Sequence, residues 1–141
     1  MIVALLTVTA VNTVDVPEAN YGTISVTESM EAIVSDPAST EAIVRSYFHD
    51  IPIMIDVARC ESTFRHYLED GSVLQGRVDP RDTGVMQINK YYHESTAVGM
   101  DLDLENIYDN MEYARYLYEK QGVQPWSASA PCWDRSLAVN I

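Results

Sequence analysis

Two short stretches carry the side chains able to do chemistry. Ala58-Arg59-Cys60-Glu61-Ser62-Thr63-Phe64 places a carboxylate at the end of an apolar helical run. Downstream, Gly84-Val85-Met86-Gln87-Ile88-Asn89 sets an amide beside a tight glycine turn. A carboxyl held in a partly dry pocket keeps its proton and can act as a general acid. An amide offers a donor and an acceptor together, which suits reading hydroxyl and acetamido groups. The pair therefore fits acid–base chemistry on a sugar polymer.

Each stretch also has a plainer reading. Glu61 could pair with Arg65 at i+4 on a helix surface, worth about 0.2–0.5 kcal/mol. Gly84-Val85-Met86-Gln87 could be an ordinary buried strand. Against the first, the helix macrodipole disfavours an anion near a helix C-terminus, and burial adds to that. Against the second, Gly84 permits close backbone approach, while Met86 can pack beneath Gln87. Asp70, Asp79 and Asp82 lie between the stretches. Asp82 is the best placed as a second carboxylate, and its bland role is a turn residue bonding its own backbone.

The elements that must position these groups follow from periodicity and turn chemistry. The spacing predicts a helix from Ser39 or Thr40, as cap, through Phe48, with Ile43, Val44 and Tyr47 or Phe48 on one face. Pro52 favours a first helical turn, so a second helix is expected over Pro52–Phe64, burying Ile53, Met54, Val57 and Ala58. From His66 to Asn89 the helical period fails, and Asp70-Gly71, Gly76-Arg77, Asp79-Pro80 and Thr83-Gly84 signal turns. Val73-Leu74, Val78 and Val85–Ile88 could form short strands there. Helices are expected over Lys90–Val98 and over Leu104–Gln121, the latter capped by Asp103 and stopped by Gly122. The stretch Pro125–Trp133 reads as an aromatic loop. The fold class is α+β, mainly α, with a small irregular β excursion between helices.

The chain has 141 residues, so one domain is the default, long enough to bury a core unaided. Residues 39–141 are assigned to it. Residues 1–38 read as an apolar N-terminus followed by an acidic linker, with Met1–Val11 a truncated export signal or anchor, or else a strand or apolar tail. The net charge of −12 argues against nucleic acid, whose phosphates need clustered Lys and Arg. It also disfavours long-range steering toward any anionic polymer. His93-Glu94-Ser95-Thr96-Ala97 falls short of a zinc-protease helix because Ala97 stands where a second His is needed, so no metal and no other cofactor is expected.

Ala-x-Cys60-Glu61-Ser62, Gly84-Val85-Met86-Gln87-Ile88-Asn89, Ala114-Arg115-Tyr116-Leu117-Tyr118 and Gly122-x-x-Pro125-Trp126 together resemble the lysozyme-like superfamily. Within it they are most similar to lytic transglycosylase catalytic domains and resuscitation-promoting-factor domains, over about residues 50–133. The resemblance implies a lysozyme-like fold and cleavage of the β-1,4 bond between N-acetylmuramic acid and N-acetylglucosamine, with peptidoglycan strands as partner. It implies Glu61 as the acid and then the base. It implies that Ser62 and Gln87 contact the sugar or its acetamido group and that Tyr116 lines the cleft. Asn89 is a further candidate for binding substrate, and Tyr92 and Trp126 offer flat faces for sugar stacking. Val85 stands where the family usually has Leu, and Tyr116 is spaced slightly differently from Asn110. Goose-type lysozymes carry an acid where Asn89 stands; without it, the substrate's own acetamido group can assist and a 1,6-anhydro end results. A hydrolytic lysozyme using Asp82 is the alternative, and a non-catalytic glycan-binding domain is the alternative of another class. An enzyme of the cell wall works outside the cytoplasm, secreted or envelope-associated, where Cys60 and Cys132 would pair. It is expected to act as a monomer.

Overall fold

The computed structural model describes residues 36–135. The apolar N-terminus and most of the linker lie outside them. Five α-helices, a 3-10 helix and a two-stranded antiparallel sheet make up the described residues.

Helix α1, Pro37–Tyr47, starts earlier than the expected Ser39 or Thr40 cap. Asp36 is the cap: its carboxylate accepts from the Ser39 N–H at 3.1 Å, and Pro37 supplies a first residue already set for the helix. Val44 and Phe48 are fully buried, with Ile43 and Tyr47 packed beside them. Helix α2, Pro52–Ser62, begins at the expected proline but ends two residues early. Thr63 (φ 52°) and Phe64 (φ 57°) are both left-handed, which reverses the chain after Ser62. Met54, Val57 and Ala58 are fully buried, whereas Ile53 is only partly so.

The irregular stretch contains bridges Tyr67–Val73 and Gln75–Thr83, and then strands β1, Asp82–Thr83, and β2, Ile88–Asn89. Val78 is wholly exposed and joins no strand. Helix α3, Lys90–Gly99, follows directly. Helix α4, Ile107–Gln121, starts later than expected because Asn106, not Asp103, caps it by accepting from the N–H groups of Tyr108 and Asp109. Gly122 ends it with φ 61°. The expected aromatic loop is instead a 3-10 helix, Gln124–Ser129, running into the four-residue α5, Ala130–Trp133.

Helix α2 packs on α1, the 3-10 helix and α5, and α4 packs on the 3-10 helix. Arg115 of α4 clamps α1: its guanidinium donates to both oxygens of Asp50 and to the Tyr47 carbonyl, each at 2.9 Å. This pairing holds the Asp50 carboxyl down at about 2. Cys60 and Cys132 form a disulfide joining α2 to α5.

Candidate functional site

Glu61 is the penultimate residue of α2, where the macrodipole disfavours a negative charge. The chain reversal at Thr63 and Phe64 takes Arg65 off the helix, and the carboxyl instead meets the 3-10 helix. Ser129 Oγ donates to Glu61 Oε1 at 2.5 Å. Burial raises the pKa of Glu61 above the ordinary carboxylate value. The Ser129 hydroxyl opposes that rise, while the charge of Asp82 reinforces it. The expected acid and the expected second carboxylate are therefore within electrostatic reach of each other.

Asp82 and Gln87 sit on one hairpin. Asp82 pairs with Asn89 across the strands, and Thr83 pairs with Ile88. Asn89 Nδ2 donates to Asp82 Oδ1 at 2.7 Å and to Asp79 Oδ2 at 3.1 Å, so a neutral amide separates two carboxylates. Its own Oδ1 is buried without a partner. Arg81 holds Asp79 well below the usual carboxylate range. Gln87 is left-handed (φ 49°), and its Nε2 donates to the Gly84 carbonyl at 2.9 Å. Gly76 lies against this cluster: a Cβ there would stand 2.3 Å from the Asp79 carbonyl and 3.1 Å from Gln87 Oε1.

Two buried side chains hold the turn between the strands. Asn110 Oδ1 accepts from the Met86 N–H at 3.0 Å, and its Nδ2 donates to the carbonyls of Thr83 and Leu104. His66 Nδ1 lies 3.0 Å from the Val85 nitrogen. A backbone N–H only donates, so Nδ1 accepts, and Nε2–H donates to the Glu105 carbonyl at 2.8 Å. His66 is thus a neutral imidazole, and burial lowers its pKa to about 4.

Two predictions arise here. Gly84 has φ 73°, and a Cβ would approach His66 Cε1 to 2.6 Å and Asn110 Nδ2 to 2.7 Å. Both neighbours are fixed by hydrogen bonds, so Gly84→Ala is expected to cost about 2–4 kcal/mol in urea unfolding. His66 binds fewer protons folded than unfolded. Its contribution is complete above the unfolded value of 6.5 and is lost as pH falls through about 4. The unfolding free energy from urea titrations should therefore drop between pH 6.5 and 4, by up to about 3 kcal/mol, and less in His66→Gln.

The remaining expected site residues divide. Trp126 is 3% exposed, and its Nε1 donates to the Met86 carbonyl at 2.9 Å. It is a strut between the hairpin and the 3-10 helix and offers no open face to a sugar. The Ser62 hydroxyl is buried, donating to the Ala58 carbonyl and accepting from the Arg65 N–H. Tyr116 is half-buried, 5.4 Å from the Tyr113 ring, with Lys120 Nζ above it. Tyr92 stands exposed beside Tyr91, ring centroids 5.0 Å apart. A separate open groove is lined by Pro37, Arg65, Tyr67, Leu68, Glu69 and Asp70, none of them an expected site residue.

Ser129, His66 and Asn110 were not among the expected site residues. Ser129 is one of two serines in the short tract Ser127-Ala128-Ser129-Ala130, which has no distinguishing pattern, and its contact spans 68 residues. Asn110 had a usable signal: a polar residue on the apolar stripe of a long helix. Among the described residues, no group of three or more His, Cys, Asp or Glu could hold a metal ion, and no helix is long and apolar enough to cross a membrane. No protein-family model matches the chain, and neither a curated protein nor a solved structure does.

Proposed function

We propose that this chain is a peptidoglycan-cleaving enzyme of the lysozyme-like superfamily, acting outside the cytoplasm as a lytic transglycosylase. The observation that carries the reading is Glu61: a half-buried carboxyl at a helix end, its pKa raised by burial and by the charge of Asp82 on the hairpin that bears Gln87. Glu61 protonates the glycosidic oxygen as the bond to C1 of N-acetylmuramic acid breaks, and the departing sugar leaves with that proton. The substrate's acetamido oxygen covers C1 in the meantime. The Glu61 carboxylate then takes the proton of the 6-hydroxyl, whose oxygen attacks C1 and closes the 1,6-anhydro ring. Gln87 and Asn89 on the hairpin and Tyr92 and Tyr116 beyond it are the groups proposed to contact the strand. The Cys60–Cys132 bond accords with an oxidising compartment.

One observation favours hydrolysis as a second reading. The acid that goose-type lysozymes carry at the position of Asn89 has a counterpart here in its cross-strand partner, Asp82, held by the Asn89 amide and sensed by Glu61. A carboxylate so placed could activate water instead. Mass spectrometry of products released from purified cell walls decides between the two. Anhydro-muramyl ends support transglycosylation, reducing ends support hydrolysis, and binding without release supports a glycan-binding domain.

A further inference from the structure

Every large influence on Glu61 but one favours the protonated form. Burial does so, the α2 terminus does so, and Asp82 on β1 does so. The 3-10 helix and α5, packed directly against α2, contain no ionisable side chain that could answer them. The cations on the flanking segments pair with other acids: Arg59 of α2 and Arg135 beyond α5 both lie 3.6 Å from Asp56, and Arg45 of α1 is held by Glu41. The exception is the hydroxyl of Ser129.

That hydroxyl has one proton and two lone pairs. Trp133 Nε1–H, 2.9 Å away, only donates and so occupies a lone pair. The proton has two acceptors in reach, Glu61 Oε1 at 2.5 Å and the Trp126 carbonyl at 3.1 Å. The Trp126 carbonyl is the more distant acceptor and shares the same Trp133 Nε1–H at 3.1 Å, whereas a carboxylate at Glu61 gains a charge-assisted bond. We infer that Ser129 is a positioning residue that stabilises the Glu61 carboxylate left after proton transfer, an inference that rests on the proposed glycan-cleaving role. It lets one side chain serve as acid in the first step and as base in the second. The disulfide brackets the contact, since Cys60 precedes Glu61 and Cys132 lies three residues beyond Ser129.

The test compares Ser129→Ala and Ser129→Thr with the wild type in two measurements. Carbon-13 NMR titration of the Glu61 carboxyl should show the titration midpoint moved up in Ser129→Ala and restored toward wild type in Ser129→Thr. On purified walls, the alkaline limb of the Ser129→Ala rate profile should move to higher pH, with kcat lower by roughly tenfold and KM unchanged. An unchanged Glu61 titration and rate profile in Ser129→Ala, even with a lower melting temperature, would overturn the inference and leave Ser129 a purely structural residue. A wild type that releases nothing from walls would instead sink the cleavage reading, and the NMR titration would still decide whether Ser129 stabilises the carboxylate.

Discussion

Glu61→Gln is expected to lower the release of wall fragments by at least about 10³-fold while leaving binding to glycan strands intact. The replacement is close to isosteric. Its amide oxygen can still accept from Ser129, so the 3-10 helix need not move. What it lacks is a proton to give. The same variant should also be more stable than the wild type at neutral and alkaline pH, and the sign follows from burial. Glu61 titrates higher in the folded protein than in the unfolded chain. Its favourable contribution is therefore complete below the unfolded value and is lost as pH rises through the folded one. A glutamine escapes that loss. Wall turbidity and thermal melts across pH 4–9 check both halves together. Loss of activity with gained stability is the signature of a strained functional group; unchanged turbidity clearance would remove Glu61 as the acid.

Much of the scaffold was legible because it depends on local chemistry. Pro52 marks the start of α2, the periodic apolar stripe from Ile107 marks α4, and Gly122 ends it with a positive φ. The ends that were misplaced depend on choices sequence alone leaves open. Asp36, Ser39 and Thr40 are all good caps, and Pro37 decides in favour of Asp36 by fitting the first helical position. Nothing local explains why α2 stops at Ser62, since Thr63 and Phe64 adopt left-handed conformations that their side chains disfavour. Tertiary packing imposes that reversal, and with it the placing of Glu61 against Ser129. The hairpin was visible as a pair of turn signals, but its clamp was not. His66 and Asn110 approach it from 19 and 24 residues away in sequence; His66 reads locally as an ordinary polar residue, and the polar Asn110 on an apolar stripe signals burial but not its partner.

The disulfide should prove the largest single contributor to stability. Cys60 and Cys132 are 72 residues apart, enclosing the hairpin, α3, α4 and the 3-10 helix. In the chain-entropy model a loop of that length is worth about 4 kcal/mol. The Cys60→Ala, Cys132→Ala double variant is therefore expected to melt roughly 15 °C below the wild type. The loss should begin at one end of the molecule. A four-residue α5 and a six-residue 3-10 helix are too short to persist by themselves. They are held by the disulfide, by the buried Trp126 and Trp133 rings, and by the Trp126 bond to the Met86 carbonyl. Without the disulfide, hydrogen exchange should quicken first over 124–133, ahead of α4. That segment carries Ser129, so the double variant should lose its hold on the Glu61 carboxyl below its melting temperature, moving the Glu61 titration upward as Ser129→Ala does. Cys132 is exposed, so reductant should reach the bond in the folded protein and reproduce the effect in the wild type. Equal melting temperatures with and without reductant, together with two alkylated cysteines in unreduced protein, would show that the staple is absent in solution.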